Sequence, residues 1–513
     1  SIAPVSGGSF WSGQTRTYNG SLSGTTFNGS SALAGVQIPN FANIGGWELG
    51  TYSGTSVSGD SPYAEDNVKS MRLDAAFTVV GSIKVKGNLV TVYQDLETTG
   101  SGSDISIKSD GRGTGNDNGF LYLRTNVDLT TAGGDIILWS NVANRVDGTA
   151  NNELVLEGTN VLTSNGGNIV LAGGLDSNSD GIPDGFAFRG NNGGEGAVTL
   201  RNNVSFLSDG GDIIIQGQYG ASGGAGISSE QQHLVNSGTG KIIFNGVSAS
   251  GMSVNLDRLS QVPNIAITSA GTQTPAVSIS GTTTANDWAI NFSNTSNAGN
   301  FLIQSSASTG GGVSITGISN GNAGFHNRIN NGRTQILSLS GDININTSSS
   351  SGSGGDFAIR SQNGFYIGER FDATAVNGVT PVSGFTGNIT LSSTGALNSE
   401  DALYLRTDET SGGDITLRIN GIVDAQPLTQ LVTPGEVVIE PTGDDFTSAI
   451  TIPSTWSFDT DITSLTIGKS ATSSDGTADA GITLDKAISI AGPISVYGGG
   501  ITLNQNLTST LAN

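Results

Sequence analysis

One short phrase recurs along most of this 513-residue chain and limits the folds open to it. From about residue 82 onward, a small turn, often Gly-Gly-Asp or Gly-Asn, is followed by a short run rich in Ile, Val or Leu. Each run is long enough for one β-strand and too short for a helix. Clear copies are GGDIIL at 133–138, GGNIVL at 166–171, GGDIII at 210–215, GNITL at 387–391 and GGDITL at 412–417. The repetition predicts an all-β chain of short strands and turns.

The spacing of the phrase favours a solenoid. Ile105 precedes Ile136 by 31 residues, and Ile213 precedes Ile242 by 29. We interpret these intervals as one or two strands per coil, stacked because a single coil cannot bury its apolar side chains alone. With about 20 to 25 residues per coil, residues 82–513 would form roughly 20 coils of a parallel β-solenoid. An array of β-sandwich domains is the alternative that the same strands allow.

The N-terminal part of the chain differs from the rest. It is rich in aromatic residues, such as Trp11 and Trp47, and its alternation of apolar and polar residues is looser. An exposed solenoid end would template aggregation, so we expect residues 1–81 to form a cap or a small appended β segment. Residues 82–513 are then the solenoid repeats. Proline-containing stretches near 374–384 and 421–442 interrupt the rhythm, and we expect loops or a subdomain border there.

Composition narrows the function classes. The 77 glycines often precede the apolar runs, and we interpret them as corner residues, which need a left-handed or crowded backbone. The net charge of −22 repels phosphate backbones and anionic lipid, so we expect no nucleic-acid partner and no direct membrane insertion. The absence of cysteine removes disulfides and thiolate metal sites. His233 and His326 are the only histidines, and we expect both at the surface or at corners.

The sharpest local motif spans residues 176–184, with the sequence DSNSDGIPD. Side-chain oxygens of Asp176, Asn178, Asp180 and Asp184, with the backbone carbonyl of Ile182, form the type of donor set that wraps Ca²⁺. The motif resembles the DxDxDGxxD loops of thrombospondin type 3 repeats. These five residues are therefore our predicted metal ligands, with Ca²⁺ in a structural role. The alternative is an acidic turn in solvent, because Asp, Asn, Ser and Gly also dominate turns.

Carboxylates offer little support for catalysis. They occur as sequence neighbours at Glu65-Asp66, Glu400-Asp401, Asp408-Glu409 and Asp444-Asp445. Neighbours on a strand point to opposite faces, whereas glycoside hydrolysis needs two carboxyl groups facing each other across a cleft. The recurring Asp of the Gly-Gly-Asp phrase is expected to accept backbone N–H groups at a corner. We therefore predict that the chain is not an enzyme. If three or more acidic and basic side chains converge in one groove of the structure, an enzyme is favoured instead.

Several phrases resemble those of a known class of surface protein. GGDIILWSN at 133–141, NGGNIVLAGG at 165–174 and GNITLSSTG at 387–395 resemble the β-strand repeats of filamentous-haemagglutinin-like bacterial adhesins. The phrase LAGGLDSNSDGIPDGFAF at 171–188 resembles segments of large secreted repeat adhesins of Bacteroidota. The resemblance implies a right-handed parallel β-helix on the bacterial cell surface, used for adhesion, gliding or filament building.

Taken together, the patterns predict a non-enzymatic, extracellular adhesin or filament segment, in which a rigid β-helix presents binding surfaces. The expected partners are a cell-surface or extracellular glycan or protein ligand, or an abiotic surface. Self-association, or stacking on further coils of the same chain, is also expected. A self-assembling structural fibre or sheath subunit and a polysaccharide-active β-helix enzyme are the two alternatives.

Overall fold

In a computed structural model, the chain forms two compact units, Ser1–Ser250 and Gly251–Asn513. The structure describes residues 20–23, 26–29, 47–49, 70–73, 76–87, 89–109, 119–141, 151–190, 196–256, 264–294, 299–329, 332–349, 357–361, 364–399, 401–423, 429–470 and 480–510. These residues form strands, turns and bends, with no helix among them. Within these ranges, no helix is long and apolar enough to cross a membrane.

The strands of the first unit are short. They are β1 (Gly20–Ser23), β2 (Thr26–Gly29), β3 (Trp47–Leu49), β4 (Ser70–Leu73), β5 (Phe77–Val79), β6 (Ile83–Gly87), β7 (Leu89–Val92), β8 (Leu96–Ser101), β9 (Ile105–Ser109), β10 (Leu121–Leu123), β11 (Asp128–Ala132), β12 (Ile136–Ser140), β13 (Asn151–Asn152), β14 (Leu154–Leu156), β15 (Asn160–Thr163), β16 (Ile169–Gly173), β17 (Ala187–Arg189), β18 (Gly196–Leu200), β19 (Val204–Leu207), β20 (Ile213–Ser222), β21 (Ala225–Ser229), β22 (His233–Asn236) and β23 (Ile242–Ser250).

Three columns of parallel strands form the solenoid of the first unit. The first column stacks β3, β6, β9, β12, β16, β20 and β23. The second stacks β4, β7, β10, β14, β18 and β21. The third stacks β5, β8, β11, β15, β19 and β22. The chain visits the columns in this order and then starts the next coil. The parallel pairing confirms the solenoid and excludes the sandwich array for these residues.

Equivalent residues of successive coils pair directly. One fully buried ladder contains Ile83, Ile105, Ile136, Ile169, Ile213 and Ile242. Each interval between successive isoleucines of this ladder therefore corresponds to one coil. Each coil has three stacked strands rather than the expected one or two. The interval is 22 residues from Ile83 to Ile105 and 44 from Ile169 to Ile213. The expected coil length of about 20 to 25 residues is too short for most coils, because insertions lengthen them.

The second unit repeats this architecture. Its strands are β24 (Val254–Leu256), β25 (Asn264–Ser269), β26 (Val277–Thr283), β27 (Ile290–Asn294), β28 (Asn300–Ser305), β29 (Val313–Ser319), β30 (Phe325–Ile329), β31 (Arg333–Ser338), β32 (Ile343–Ser349), β33 (Phe357–Ser361), β34 (Phe365–Gly368), β35 (Ile389–Ser399), β36 (Leu403–Arg406), β37 (Ile415–Val423), β38 (Thr429–Val432), β39 (Glu436–Glu440), β40 (Ile450–Ile452), β41 (Ser457–Phe458), β42 (Ser464–Ile467), β43 (Gly481–Leu484), β44 (Ile488–Ile490), β45 (Ile494–Val496), β46 (Gly500–Leu503) and β47 (Leu507–Ser509).

The columns of the second unit are also parallel. The first stacks β26, β29, β32, β35, β37, β39, β42 and β45. The second begins with β24, β27, β30 and β33 and continues in the C-terminal halves of β35 and β37. The third stacks β25, β28, β31, β34, β36, β38 and β41. Near the C-terminal side, β40, β43 and β46 form one stack and β44 and β47 another.

Of the two stretches in which we expected loops, one lies between strands and the other contains strands. Residues 374–384 lie in the connection between β34 and β35, which contains no strand. The stretch 421–442 instead contains the end of β37, all of β38 and all of β39, so a loop across it is wrong. Pro434 and Pro441 stand between strands there, where no ladder hydrogen bond is needed. Much of 1–81 lies outside the described residues, although β3, β4 and β5 already pair with the next coil.

The corner between the third and first columns follows one hydrogen-bonding pattern in the first unit. The hydroxyl of Thr131 donates to the carbonyl of Gly134 at 2.5 Å and to that of Ser164 at 3.0 Å. Ser208 donates to Gly211 at 2.5 Å and to Ser237 at 3.2 Å. Each hydroxyl thus fixes its own turn and bonds to the next coil, which explains why Ser or Thr precedes the Gly phrase by a few residues.

The Asp or Asn of the phrase forms a second ladder along this corner. Its side-chain oxygen accepts the backbone N–H of the equivalent residue one coil later. The distances are 2.9 Å from Asp104 to Asp135, 2.7 Å from Asp135 to Asn168, and 2.8 Å from Asn168 to Asp212. The predicted structural role of this Asp is confirmed for Asp135 and Asp212, but its bond joins two coils rather than closing a local turn.

Candidate functional site

Insertions in the first unit gather at one corner, between the first and second columns. The connections from β9 to β10, from β12 to β14 and from β16 to β18 are long, whereas β6 to β7 and β20 to β21 are short. Insertions on one face of a repeat protein often form its binding face. The outer faces beside this corner hold buried polar residues, including Lys108 and Glu153. We therefore take this corner as the candidate functional site.

The connection after β16 folds back onto the outer face of the first column. Ile137, Trp139, Val170 and Ala172 form an apolar cluster there, and Ile182 packs against it. The indole N–H of Trp139 donates to the carbonyl of Gly174 at 2.9 Å. A bridge between Gly173 and Gly185 closes the base of the loop. The loop that carries the predicted calcium ligands is thus anchored by packing at Ile182 and by hydrogen bonds at both ends.

Within this loop, the predicted ligands bind the loop's own backbone. Asp176 accepts the N–H groups of Asp180 at 3.1 Å and Gly181 at 2.9 Å through its two carboxylate oxygens. Asp180 accepts the N–H of Ile182 at 2.8 Å. Asn178 also accepts the N–H of Asp180, at 3.1 Å. The structure therefore brings these predicted residues into one nine-residue turn.

The same loop has the chemistry of a Ca²⁺ site without a preformed cage. Asp184 accepts the N–H of Ser177 at 2.6 Å, which closes the turn. Each carboxylate oxygen has two lone pairs, so one accepted hydrogen bond leaves capacity for a hard cation. Among the residues that the structure describes, no group of three or more His, Cys, Asp or Glu is arranged to hold a metal. Calcium binding by Asp176, Asn178, Asp180, Ile182 and Asp184 stays a prediction that requires the carboxylates to turn inward.

A buried lysine lies beside this loop. Lys108 is 8% exposed, and its Nζ lies 3.7 Å from the centre of the Trp139 ring. Burial lowers the pKa of Lys108 to about 8, while the nearby carboxylate of Asp176 acts in the opposite direction. The carboxylate of Asp176 therefore compensates part of the electrostatic cost of burying the ammonium group.

Charged side chains form a ladder where the second-column strands end. Arg124, Glu157 and Arg201 directly follow β10, β14 and β18. Nη1 of Arg124 lies 2.5 Å from one carboxylate oxygen of Glu157, and Nη1 of Arg201 lies 2.9 Å from the other. The parallel register places one carboxylate between two guanidinium groups. All three side chains are partly exposed, at 37%, 21% and 36%.

A more buried group lies next to this ladder. The phenol of Tyr122 donates to Glu153 at 2.8 Å, and Arg189 of β17 forms an ion pair with the same carboxylate. Burial raises the pKa of Tyr122, although the neighbouring arginines, Arg189 first among them, act to lower it. The phenol therefore stays protonated at neutral pH. Acidic and basic side chains do converge along the outer side of the second column, and sequence reasoning missed them.

A signal for these residues was present in the sequence. FLYLRT at 120–125 and ELVLEG at 153–158 both place a charged residue directly after a buried second-column strand. The register between coils places these positions on top of each other. Without the register, Arg124 and Glu157 are two unrelated charged residues 33 positions apart in the sequence.

The two histidines contradict the prediction of surface positions. His233 and His326 are each 2% exposed. His233 begins β22, and its Nδ1 accepts the N–H of Val204 at 3.3 Å. Burial lowers the pKa of His233 to about 4, so this ring is neutral at physiological pH. His326 stacks on Trp288 with the ring centres 3.9 Å apart. His233 shares the inward face of β22 with Val235, which strand alternation indicates, whereas His326 lies on the other face of β30 from Phe325 and is covered by Trp288.

Two of the carboxylates that have an acidic neighbour in the sequence, those of Asp408 and Asp445, have structural roles in the second unit. Asp408 accepts hydrogen bonds from the side chains and backbone N–H groups of Thr410 and Ser411, and the bonds to Thr410 are the main reason that its pKa falls to about 2. Asp445 accepts the N–H of Phe446 at 2.8 Å and of Ala480 at 2.7 Å. These partners account for both carboxylates structurally.

Comparison with known proteins adds no relationship: no protein-family model, no curated protein and no solved structure matches this chain.

Proposed function

We propose that this protein is a non-enzymatic adhesin or filament segment of a bacterial cell surface, in which stacked coils present a binding face. The supporting observation is the inter-coil ladder at the corners, where Asp104, Asp135, Asn168 and Asp212 each bind the next coil. These bonds add to the parallel backbone ladders, so neighbouring coils are joined at many points. Such a scaffold resists deformation and holds attached loops in fixed positions.

The binding face is the corner in the first unit where the insertions gather. Its loop at 174–185 is anchored on Trp139, and the partly exposed ladder of Arg124, Glu157 and Arg201 lies across the second column from this corner, where the strands of that column end. Guanidinium and carboxylate groups at a partly exposed edge can exchange their ion pairs for hydrogen bonds to a ligand. An extracellular glycan or a protein surface supplies such groups.

Binding can be measured with the purified protein on immobilised glycans, extracellular proteins and bare glass. We expect retention on at least one of these, and loss of retention when residues 175–184 are deleted. The Gly173–Gly185 bridge makes this deletion a tight turn. A Gly-Ser pair inserted between Gly443 and Asp444, in an exposed turn of the second unit, is the control. A protein that is retained on none of the surfaces contradicts the proposal.

One observation favours a second function, that of a polysaccharide-active enzyme. Tyr122, Glu153 and Arg189 lie together beside Arg124 and Glu157. Against this, each carboxylate is already neutralised by arginine. The assay is incubation with neutral and acidic polysaccharides, followed by measurement of new reducing ends and unsaturated products. Release of products that is abolished by Tyr122→Phe and Glu153→Gln would establish the enzyme and overturn the non-enzymatic proposal.

A further inference from the structure

A row of aromatic rings lies on the outer face of the third column in the second unit. Tyr366 of β34 and Tyr404 of β36 are register partners in neighbouring coils, and their rings stack with the centres 4.4 Å apart and 5° between the planes. Phe371 packs against Tyr366 with the ring centres 4.8 Å apart, and its N–H donates to Gln335, the partner of Tyr366 in the preceding coil. A Cβ at Gly364 would lie 2.9 Å from the Tyr366 hydroxyl and from Cε2 of Tyr404, so the glycine leaves room for both rings.

Shorter side chains follow Tyr404 along this face. Its partner in the next coil is Gln430, and the partner of Gln430 one coil further is Ser457. Because Tyr366 covers one face of the Tyr404 ring, the opposite face is turned toward Gln430. Tyr404 and Gln430 are both partly exposed. The decrease in side-chain length forms a step, with the ring of Tyr404 as its wall.

Charges beside the aromatic row are balanced. Arg406 lies on the outward side of β36, and its Nη2 is 3.3 Å from the carboxylate of Glu409. At the other end of the row, the guanidinium group of Arg333 lies 4.4 Å from the centre of the Phe371 ring and pairs with Asp372. The step therefore combines an aromatic face, an amide and a guanidinium group without a net charge from these pairs.

We propose that this step binds a neutral glycan, with one sugar ring stacked on Tyr404. A pyranose has an apolar C–H face, which suits an aromatic ring, and hydroxyl groups at its rim, which suit the side chains of Gln430 and Arg406. An apolar partner would leave these polar groups without hydrogen bonds. An acidic glycan fits less well, because Arg406 already binds a carboxylate and the chain has a net charge of −22.

The wall of this site is held in place before any ligand binds. Tyr404 is positioned by Tyr366, and Tyr366 by Phe371, so little side-chain entropy remains to be lost on binding. The inference goes beyond the proposed adhesive function and does not depend on it. It concerns residues of the second unit, whereas the proposed binding face is a corner of the first.

Calorimetric titration of the purified full chain with neutral hexasaccharides of glucose, mannose, xylose and N-acetylglucosamine tests the site. We expect at least one of them to bind, and Tyr404→Ala to weaken its binding by about tenfold. Tyr404→Phe keeps the ring and should bind like the unmodified protein. The matched control is Tyr497→Ala, which alters a tyrosine of the second unit that is 41% exposed. Binding of none of the hexasaccharides, or equal binding by Tyr404→Ala, overturns the proposal.

Further variants keep the test independent of folding and of the first unit. Gln430→Leu leaves Tyr404 in place and should weaken binding by about threefold, because it removes the amide. Deletion of residues 175–184 should leave hexasaccharide binding unchanged, so the two proposals can fail separately. If this deletion abolishes the binding, the sugar binds in the first unit and the inference is wrong. Tighter binding of oligogalacturonate, or Tyr404-dependent retention on extracellular proteins without sugar binding, also overturns it.

Discussion

At the corner after the third column, the spacing between backbones decides which residue can occupy the second Gly of the phrase. A Cβ added to Gly167 would lie 2.1 Å from the carbonyl oxygen of Gly134, and one added to Gly211 would lie 1.9 Å from that of Gly167. No side chain fits at these distances. This glycine is therefore required by stacking, whereas Gly133 and Gly166 are suited to their positive φ angles of 86° and 113°.

Substitution of Gly167 by alanine is expected to destabilise the first unit by about 1–3 kcal/mol, the usual cost of overpacking. The clash is with backbone, so a side-chain rotation cannot relieve it. The thermal unfolding midpoint measures the effect. Gly443→Ala is the matched control, because nothing lies near its Cβ position and its φ is not positive. An equal midpoint for the two variants would contradict the stacking explanation.

Asp135 gives a prediction that depends on pH. Burial raises the pKa of Asp135, with the N–H of Asn168 acting in the opposite direction. An acid with a raised pKa in the folded state binds its proton more tightly there. Its contribution to stability is therefore favourable at low pH and is lost as pH rises through that pKa. Asp135→Asn keeps the acceptor and has no charge to bury, as Asn168 already shows at the equivalent position.

We expect Asp135→Asn to be at least as stable as the unmodified protein at neutral pH and to lose this advantage at acidic pH. Asp135→Ala, which removes the acceptor and leaves the N–H of Asn168 without it, should be less stable at both. Unfolding midpoints at two pH values measure the difference. If Asp135→Asn is the less stable variant at neutral pH, the carboxylate charge itself is needed.

Individual residues of the corner were predictable because the phrase repeats at each coil. The Gly-Gly-Asp pattern predicted a corner with Asp135 and Asp212 in structural roles, and both form the ladder. His326 was not predictable in the same way. The burial of His326 depends on Trp288, which stacks on it from a neighbouring connection. Nothing in the local sequence around His326 specifies that contact.

At the scale of the strand, the sequence carries a signal that alternation alone does not capture. β12 and β16 are buried along both faces, and their sequences IILWS and IVLAG are nearly continuous apolar runs. β37, ITLRINGIV, alternates between buried and more exposed residues. Continuous runs are typical of strands covered on both faces. In β12 and β16 they coincide with covering by the connection after β16, although β9, whose sequence ISIKS alternates, is buried along both faces as well.

The loop after β16 allows a calcium test with a built-in optical probe. Trp139 contacts the loop through Gly174, so a lanthanide in the loop should be sensitised by the indole. We expect terbium luminescence on excitation of tryptophan, displaced by Ca²⁺, and a higher unfolding midpoint with Ca²⁺ than with chelator. Asp180→Ala should abolish both effects, because it removes a ligand and the bond to Ile182. The Asp408→Ala variant, which alters a turn in the second unit, should retain them.

A midpoint that chelator leaves unchanged, together with no terbium signal, would mean that the loop is an acidic turn. The sequence placed the five residues in one turn correctly, since their spacing is local. It could not show whether their carboxylates face inward, because the same oxygens also satisfy the loop's N–H groups. The Arg124–Glu157–Arg201 ladder was out of reach for a different reason: it depends on a register between coils of unequal length.

For the whole chain, coil length is the quantity that the sequence predicted least well. The apolar ladder needs only three short strands per coil, and the shortest interval between paired residues of successive coils, from Ile482 to Ile501 as from Ile488 to Leu507, is 19 residues. Insertions at the corners are compatible with any interval, because they lie outside the stacked strands. The interval from Ile343 to Ile389 is 46 residues, yet the two still pair directly. The apolar residues of the strands therefore predict that coils stack. The number of coils follows only once the pairing register between strands is known.

Stacking of this kind makes stability local, since each coil contacts its neighbours in the sequence of coils. Gly167→Ala should therefore speed amide hydrogen exchange in β12, β16 and β20, which surround the altered corner. Strands β35 and β37 of the second unit should exchange at the unmodified rate. Peptide-resolved exchange at a temperature well below the unfolding midpoint measures both regions in one sample. Equal acceleration in β12 and β37 would show that the two units unfold as one cooperative structure, and the nearest-neighbour description would then fail.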